Sequence, residues 1–124
     1  MGPSSRPATL RCATRSADTP IGRVIVTVNE TDDGAPCEVL VHAGKAGSDL
    51  AAFAEAIGRL CSLCLGMPSP LGPTRRLGLI AEELGGIGGS RAPVDLDGAR
   101  SLPDAVARLL ENHLASCPGV PESG

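Results

Sequence analysis

The N-terminal half of the sequence carries the two-residue hydrophobic period of β-strands. Residues 22–30 place a valine at every second position from Val24, and residues 37–42 alternate in the same way. The segment between them, residues 31–36, contains an Asp-Gly pair that is typical of a hairpin turn. The two strands are therefore predicted to pair antiparallel. Residues 8–13 are a candidate for a further short strand.

The hydrophobic period lengthens to about three and a half residues after Asp49, which predicts a helix. Its hydrophobic face consists of Leu50, Phe53, Ala54, Ile57, Leu60, Cys61 and Cys64. Ser48 or Asp49 is the expected N-cap. A loop rich in proline and glycine, residues 66–73, ends this helix, and a shorter helix is predicted over residues 75–84.

A third helix is predicted to begin at Ser101. An N-cap serine, Pro103 in the first turn and Asp104 at the third helical position form the pattern of a capping box. The hydrophobic face of this helix consists of Leu102, Val106, Leu109, Leu110, His113 and Leu114. Strands followed by helices predict an α+β fold, in which a small antiparallel sheet of two or three strands has about three helices packed on one face.

Length and composition fit one domain with an aliphatic core. The chain has 124 residues and a mass of 12.5 kDa, which is enough for one hydrophobic core but not for two. We expect residues 1–7 to be a disordered leader, residues 8–115 to form a single domain, and residues 116–124 to be a flexible tail. Hydrophobic residues make up 42% of the sequence, yet Phe53 is its only aromatic residue.

Composition and charge also exclude classes of partner. With Phe53 as its one aromatic residue the chain lacks the stacking platforms that bases need, and its 11 basic and 14 acidic residues give a net charge of -3. Nucleic acid is therefore not an expected partner. The sequence has no apolar run long enough for a membrane span and no secretory signal, so we expect a cytoplasmic protein. Its five cysteines are then expected to be reduced thiols.

Cys61 and Cys64 form a Cys-x-x-Cys pair, which is compatible with a redox dithiol or half of a zinc site. The pair falls well inside the predicted helix and not at its N-terminus, where the helix dipole would activate a thiol. No second paired spacing supplies further zinc ligands. We therefore expect both cysteines to pack in the core, and His42 and His113 to be packed residues as well. No catalytic residue and no metal site is predicted.

The best candidate binding site is the turn that leads from the second strand into the first helix. Gly44, Lys45, Gly47 and Ser48 precede a helix N-terminus, where free N–H groups and the helix dipole favour an anion such as phosphate or a nucleotide. The Gly-Lys order is not that of a P-loop. The alternative is a tight structural turn with a solvated lysine.

Two further residues are candidates to support this site, which is expected to bind an anion or to dock a partner protein. Arg91 follows a glycine-rich segment and is suited to clamp an anion, while Ser101 begins the third helix. The alternative for the glycine-rich segment is a flexible connection.

Several blocks of the sequence, taken in order, resemble the TSCPD domain, which is the C-terminal module of adenosylcobalamin-dependent (class II, vitamin B12-dependent) ribonucleotide reductases. The resemblance extends from about residue 10 to residue 114. The blocks that carry it are residues 22–30, 38–49, 55–60, 86–91 and 100–107.

The resemblance implies a role in ribonucleotide reduction without the catalytic apparatus. In full-length members a large barrel holds the adenosylcobalamin, the radical-forming cysteine and the substrate-reducing cysteine pair, and it precedes this module. The family's Thr-Ser-Cys-Pro-Asp signature corresponds to residues 100–104, where Leu102 replaces the cysteine. The cysteine-rich tail of the family is reduced to Cys117-Pro118, with Val120 at the place of a second cysteine.

The leading expectation is a stand-alone, non-catalytic TSCPD module that binds no cofactor itself and acts as an accessory or regulatory partner of a class II reductase or a related nucleotide enzyme. One alternative is a small nucleotide- or anion-binding protein with its own Cys-x-x-Cys redox chemistry. Another is a structural oligomerisation domain, for example a homodimer, because a small sheet with an aliphatic core is thinly covered.

Overall fold

The computed structural model describes residues 11–88 and 101–116. In these ranges the elements follow the order β1 (Arg11–Thr19), β2 (Gly22–Glu30), β3 (Pro36–Ala43), α1 (Asp49–Gly66), α2 (Pro73–Leu84) and α3 (Leu102–Ser116). This arrangement confirms the predicted α+β fold. The predicted leader at 1–7, Arg91 and the tail beyond residue 116, with Cys117 and Val120, lie outside the described residues.

The sheet has three antiparallel strands in the order β1-β2-β3. The first strand was predicted too short, because β1 continues past Ala13 to Thr19 and pairs with β2 along its whole length, from Arg11 opposite Glu30 to Thr19 opposite Gly22. The hydrophobic pattern of β1 was weak because it is an edge strand and none of its residues is fully buried. Its connection to β2 is a tight hairpin turn that the sequence analysis did not identify.

The hairpin between β2 and β3 was predicted correctly. Gly34 takes a φ of 87° in the turn, a conformation that favours glycine. The N–H of Thr31 donates to the carbonyl of Ala35, and the N–H of Gly34 donates to the carbonyl of Thr31, both at 2.9 Å. The Thr31 hydroxyl and the Ala35 N–H also donate to the Asp33 carboxylate, and these hydrogen bonds lower the pKa of Asp33.

The core lies between one face of the sheet and the three helices. The fully buried side chains of largest volume are Leu77, Leu110, Val24, Val26, Val28, Val39 and Val106. The valines of β2 and β3 therefore face the helices, as their alternation predicted. Helix α3 crosses β1 and β2 and packs against α2, whereas α1 packs against β3.

The buried face of α1 differs from the predicted one. Its buried residues are Ala54, Gly58, Cys61 and Leu65. Phe53, Leu60 and Cys64, which were predicted to be in the core, are exposed, with Phe53 at 62% and Leu60 at 61%. The reason is the close approach of α1 to β3 at Gly58, which turns the side of the helix that carries Ala54, Gly58 and Cys61 toward the core and the side that carries Phe53 and Leu60 away from it.

The connection between α1 and α2 is fixed by one arginine. The guanidinium of Arg76 donates to the carbonyls of Cys64, Leu65 and Met67 at 2.6 to 3.1 Å, and its Nε donates to Leu71 at 3.0 Å. These carbonyls lie at the C-terminal end of α1, where backbone acceptors lack helical partners. Arg76 thereby holds the start of α2 against the end of α1.

None of the helices in residues 11–88 and 101–116 is both long enough and apolar enough to cross a membrane.

Candidate functional site

Helix α1 lies unusually close to the outer edge of β3. A Cβ added at Gly58 would be 3.1 Å from both the carbonyl oxygen of Val39 and the backbone nitrogen of Val41. One helical turn further on, the Ser62 hydroxyl accepts from the Val39 N–H at 2.9 Å and donates to the Val39 carbonyl at 3.1 Å. A helix side chain therefore takes the hydrogen-bonding place that a fourth strand would have had.

A groove of about 920 Å³ runs between β3, α1 and the turn that joins them. We call it the α1–β3 groove. On the strand and turn side it is lined by Glu38, Val39, Leu40, Val41, His42, Ala43, Gly44, Ala46, Gly47 and Ser48. On the helix side it is lined by Ala51, Ala52, Glu55, Gly58, Arg59 and Ser62.

The turn at residues 44–48 forms one end of the groove. Gly44 and Gly47 have φ angles of 74° and 86°, which favour glycine. The Ser48 hydroxyl accepts from the Ala51 N–H at 3.1 Å and donates to the Lys45 carbonyl at 2.7 Å, so Ser48 is the N-cap of α1. Because its one hydrogen is donated to the Lys45 carbonyl, the Ser48 hydroxyl cannot also donate to an anion.

The candidate binding residues are only partly brought together. Gly44, Gly47 and Ser48 line the groove, and Lys45 is exposed in the same turn. Ser101 is at the start of α3, where its hydroxyl donates to the Ile87 carbonyl at 2.6 Å. In the described part of the chain no hydrogen bond joins Ser101 to the turn, and Arg91 lies outside that part.

The polar residues of the groove include several that the sequence analysis missed. His42 was predicted to be packed, but it is exposed on β3 beside Leu40. The sequence could have indicated this, because successive side chains of a strand alternate between its two faces and His42 alternates with the buried Val41 and Ala43. Glu55 and Arg59 form an exposed ion pair of 2.5 Å, one turn apart on α1.

The Cys-x-x-Cys pair is divided between two environments. Cys61 is 4% exposed, and burial, with a smaller contribution from Cys64, raises its pKa to about 11. Cys64 is exposed, so the prediction that both cysteines pack in the core is confirmed for Cys61 and wrong for Cys64. A raised pKa keeps the Cys61 thiol protonated, which is the opposite of what a redox nucleophile needs.

His113 is packed as predicted, but with an acidic partner. It is 4% exposed, and its Nε2 lies 2.8 Å from Oε2 of Glu30, which is 8% exposed. This contact joins α3 to the end of β2 on the inner side of the sheet. In residues 11–88 and 101–116 no group of three or more His, Cys, Asp or Glu side chains is arranged to hold a metal ion.

A family model for the TSCPD domain matches residues 3–114, which is nearly the whole chain. The chain belongs to the TSCPD family. This domain is associated with class II ribonucleotide reductases, so the family links the chain to ribonucleotide reduction. No curated protein and no solved structure is similar enough to match it.

Residues 101–104, which resemble part of the family's signature segment, form the cap and first turn of α3. Leu102, where the resemblance places the signature cysteine, is 6% exposed and packs in the core. Ser101 accepts from the Asp104 N–H at 3.2 Å, which confirms its predicted role as helix cap. The Asp104 carboxylate accepts from the Gly86 N–H at 2.8 Å and from Arg108 Nε at 3.1 Å.

The Asp104 carboxylate therefore links two parts of the chain. At 4% exposure it is one of the few buried charged residues among those described, and it ties the glycine-containing turn after α2 to the first turn of α3. Sequence reasoning identified Asp104 only as a local cap, because its contact with Gly86 depends on how α2 and α3 pack.

Proposed function

We propose that this TSCPD domain is a non-catalytic accessory module of ribonucleotide reduction, which acts in the cytoplasm together with a class II reductase chain. The family match supports the link to the reductase. The state of the cysteines argues against an independent redox activity, since Cys61 is buried with a raised pKa while Cys64 is exposed. The catalytic steps, and the binding of adenosylcobalamin, are assigned to the reductase.

The described residues do not fit adenosylcobalamin itself. The α1–β3 groove is small for a corrin with its nucleotide and adenosyl groups. Of the two histidines, His113 is buried against Glu30, and only His42 lies at the groove. The binding and the chemistry of adenosylcobalamin are therefore assigned to the reductase chain.

We further propose that the α1–β3 groove is the docking site for the reductase. This proposal rests on which residues line the groove. Most of them belong to residues 38–49 and 55–60, two of the blocks that carry the resemblance to the family. Clefts of this volume with an apolar lining and a few polar groups are common binding sites, so the charges of the lining decide between a small ligand and a polypeptide segment.

The charges in the groove favour a polypeptide segment over a nucleotide. Glu38 lines the groove and would repel phosphate groups, while Glu55 and Arg59 neutralise each other in an ion pair. Lys45 lies beside the groove without being part of its lining. Leu40, Val41 and the groove alanines offer an apolar floor for side chains, while His42 and Arg59 offer hydrogen bonds at its rim.

Titration calorimetry of the full chain with a class II reductase tests the docking proposal. We expect binding by the unaltered chain and at least tenfold weaker binding by Arg59→Glu, which reverses a charge at the rim. Arg75→Glu makes the same change at an exposed position of α2, outside the groove, and is expected to bind as the unaltered chain does. Circular dichroism confirms that both variants fold.

Two results would contradict the proposal. If the unaltered chain does not bind the reductase, the accessory role fails. If Arg59→Glu and Arg75→Glu bind equally well, the groove is not the docking site. A thermal-shift comparison with inorganic phosphate and a nucleoside diphosphate, using Lys45→Ala, tests the anion alternative: stabilisation that Lys45→Ala abolishes would favour a nucleotide ligand over a polypeptide.

A further inference from the structure

Helix α1 has three distinct faces. The residues buried in the core are Ala54, Gly58, Cys61 and Leu65, and a second face lines the groove. The third face carries Phe53, Ala56, Leu60 and Leu63, and Met67, the C-cap residue that follows the helix, continues it; all five are exposed. At about 100° of rotation per residue, these three faces are centred roughly 120° apart around the helix. The core and the groove therefore account for two faces, and no other residue of the described ranges 11–88 and 101–116 buries the third.

The third face is a continuous apolar stripe. Phe53 is 62% exposed, Leu60 61%, Leu63 58% and Met67 52%, which makes them the most exposed large hydrophobic residues among those described. We call Phe53, Ala56, Leu60, Leu63 and Met67 the apolar stripe. Isolated exposed hydrophobic residues are common on monomers, but a contiguous row of this length marks an interaction surface.

The spacing of the stripe is that of helix pairing. Its members follow one another at intervals of three, four, three and four residues, which is the heptad pattern by which two helices pack along a shared seam. No charged residue belongs to the stripe, and the ion pair of Glu55 and Arg59 lies toward the groove. The pattern is therefore suited to another helix rather than to an extended segment or an anionic ligand.

We propose that the apolar stripe is an interface between two copies of this chain, which pair their α1 helices antiparallel about a twofold axis at Leu60. In this register Phe53 of one copy faces Met67 of the other, Leu60 faces Leu60, and Ala56 lies beside Leu63. A thioether beside an aromatic ring is a favourable contact, and the small Ala56 leaves room for the Leu63 side chain. An antiparallel pair also opposes the two helix dipoles.

The area of the stripe agrees with a twofold dimer of modest affinity. At the exposed fractions of its four large side chains, the stripe presents roughly 400 Å² of apolar surface per copy, so two copies together with flanking residues would bury about 1,000 Å². This is the lower end of specific interfaces. Closed twofold pairing is also the commonest form of self-association. We expect dissociation constants in the micromolar range.

Sedimentation equilibrium of the full chain over a wide concentration range tests the proposal. We expect the unaltered chain to form a dimer, and Leu60→Glu to weaken dimerisation at least a hundredfold, because it places two carboxylates at the twofold axis. Leu79→Glu is the matched control, since Leu79 is 40% exposed on α2 and is not part of the stripe. This variant is expected to dimerise as the unaltered chain does.

A cross-linking experiment tests the register. In a background with serine at Cys12, Cys37, Cys64 and Cys117, Leu60→Cys is expected to form a covalent dimer when oxidised glutathione is added, because the two thiols meet at the axis. Leu79→Cys in the same background is expected to remain monomeric on a denaturing gel.

The outcomes separate this interface from the docking groove. An unaltered chain that stays monomeric at millimolar concentration overturns the proposal, as does a dimer that Leu60→Glu leaves intact. Cross-linking at Leu79 but not at Leu60 would also overturn it. Because Arg59→Glu changes the groove and Leu60→Glu changes the stripe, loss of reductase binding and loss of dimerisation can be assigned independently.

Discussion

Cys61 and Cys64 lie three positions apart on α1, yet their side chains have different surroundings. Cys61 faces β3 and is buried, whereas Cys64 points to solvent. Hydrophobic periodicity assigned both to the buried face, because a sequence pattern cannot tell how wide the contact between a helix and a sheet will be. In this protein the buried face of α1 is narrow, so Cys61 is buried and Cys64 is exposed.

The raised pKa of Cys61 predicts a loss of stability at alkaline pH. The folded state holds the thiol proton up to a pKa of about 11, compared with 9.0 for a free thiol. The stability that this proton contributes is fully present below about pH 9 and is lost as the pH rises to about 11. We expect the free energy of unfolding in urea to fall by about 2 kcal/mol over this interval.

Matched variants isolate the contribution of Cys61. Cys64→Ser is expected to keep the alkaline loss and Cys61→Ala to abolish it; the same loss in Cys61→Ala would assign it to another group. A short maleimide pulse on the folded chain, read by mass spectrometry, is expected to label Cys64 and to spare Cys61. Rapid joint oxidation of Cys61 and Cys64 would contradict this assignment and would favour a redox pair.

At the scale of elements, the contact between α1 and β3 is the feature that shapes the candidate site. Gly58 allows the helix backbone to approach the strand, and Ser62 satisfies the N–H and the carbonyl of Val39 at the sheet edge. The turn at residues 44–48 then fixes where the helix begins. Helix α1 contacts the edge of β3 at Gly58 and Ser62, and the groove is the space that remains between the helix, the strand and the turn.

Gly58→Ala tests this close approach. A Cβ at Gly58 would lie 3.1 Å from two backbone atoms of β3, which cannot move as a flexible side chain could. We expect Gly58→Ala to lower the free energy of unfolding by about 1–3 kcal/mol, as overpacking does. Urea denaturation followed by circular dichroism measures the change.

Gly66→Ala is the control in the same helix. No atom lies within 4 Å of a Cβ added at Gly66, so the substitution is expected to be neutral or to stabilise by up to about 1 kcal/mol through helix propensity. Equal effects of Gly58→Ala and Gly66→Ala would mean that the approach of α1 to β3 is not tight in solution.

At the scale of the whole molecule, one core joins the sheet to all three helices. Buried residues of β2, β3, α1, α2 and α3 belong to a single cluster. The contacts of Glu30 with His113 and of Asp104 with Gly86 add polar links between distant parts of the chain. The module should therefore unfold as one cooperative unit.

Two core substitutions test this cooperativity. Val26 in the sheet is 2% exposed and Leu110 in α3 is fully buried. We expect Leu110→Ala to cost about 2–5 kcal/mol and Val26→Ala somewhat less. Each substitution should lower hydrogen-exchange protection in both β2 and α3. If Leu110→Ala exposes α3 while β2 keeps its protection, α3 unfolds separately and the single-core description fails.

The sequence predicted correctly those elements in which buried and exposed positions alternate regularly or in which a cap residue marks the start. The alternating valines of β2 and β3 gave both strands and their hairpin, and the Ser101 cap placed the start of α3 correctly. The first strand was predicted too short because it has an exposed edge and few apolar residues. In the candidate site, the turn at residues 44–48 was predicted from its glycines. That His42 and Arg59 also line the groove was not predicted.

The sequence by itself determined the fold class, the family and the near absence of aromatic side chains, because these depend on periodicity, ordered motifs and composition. Tertiary structure decided which side of α1 is buried, that Ser62 and Gly58 meet the edge of β3, and that Phe53 faces solvent. Burial on a helix depends on the distance and direction of its neighbours, and those are properties of the packed molecule, not of a local pattern.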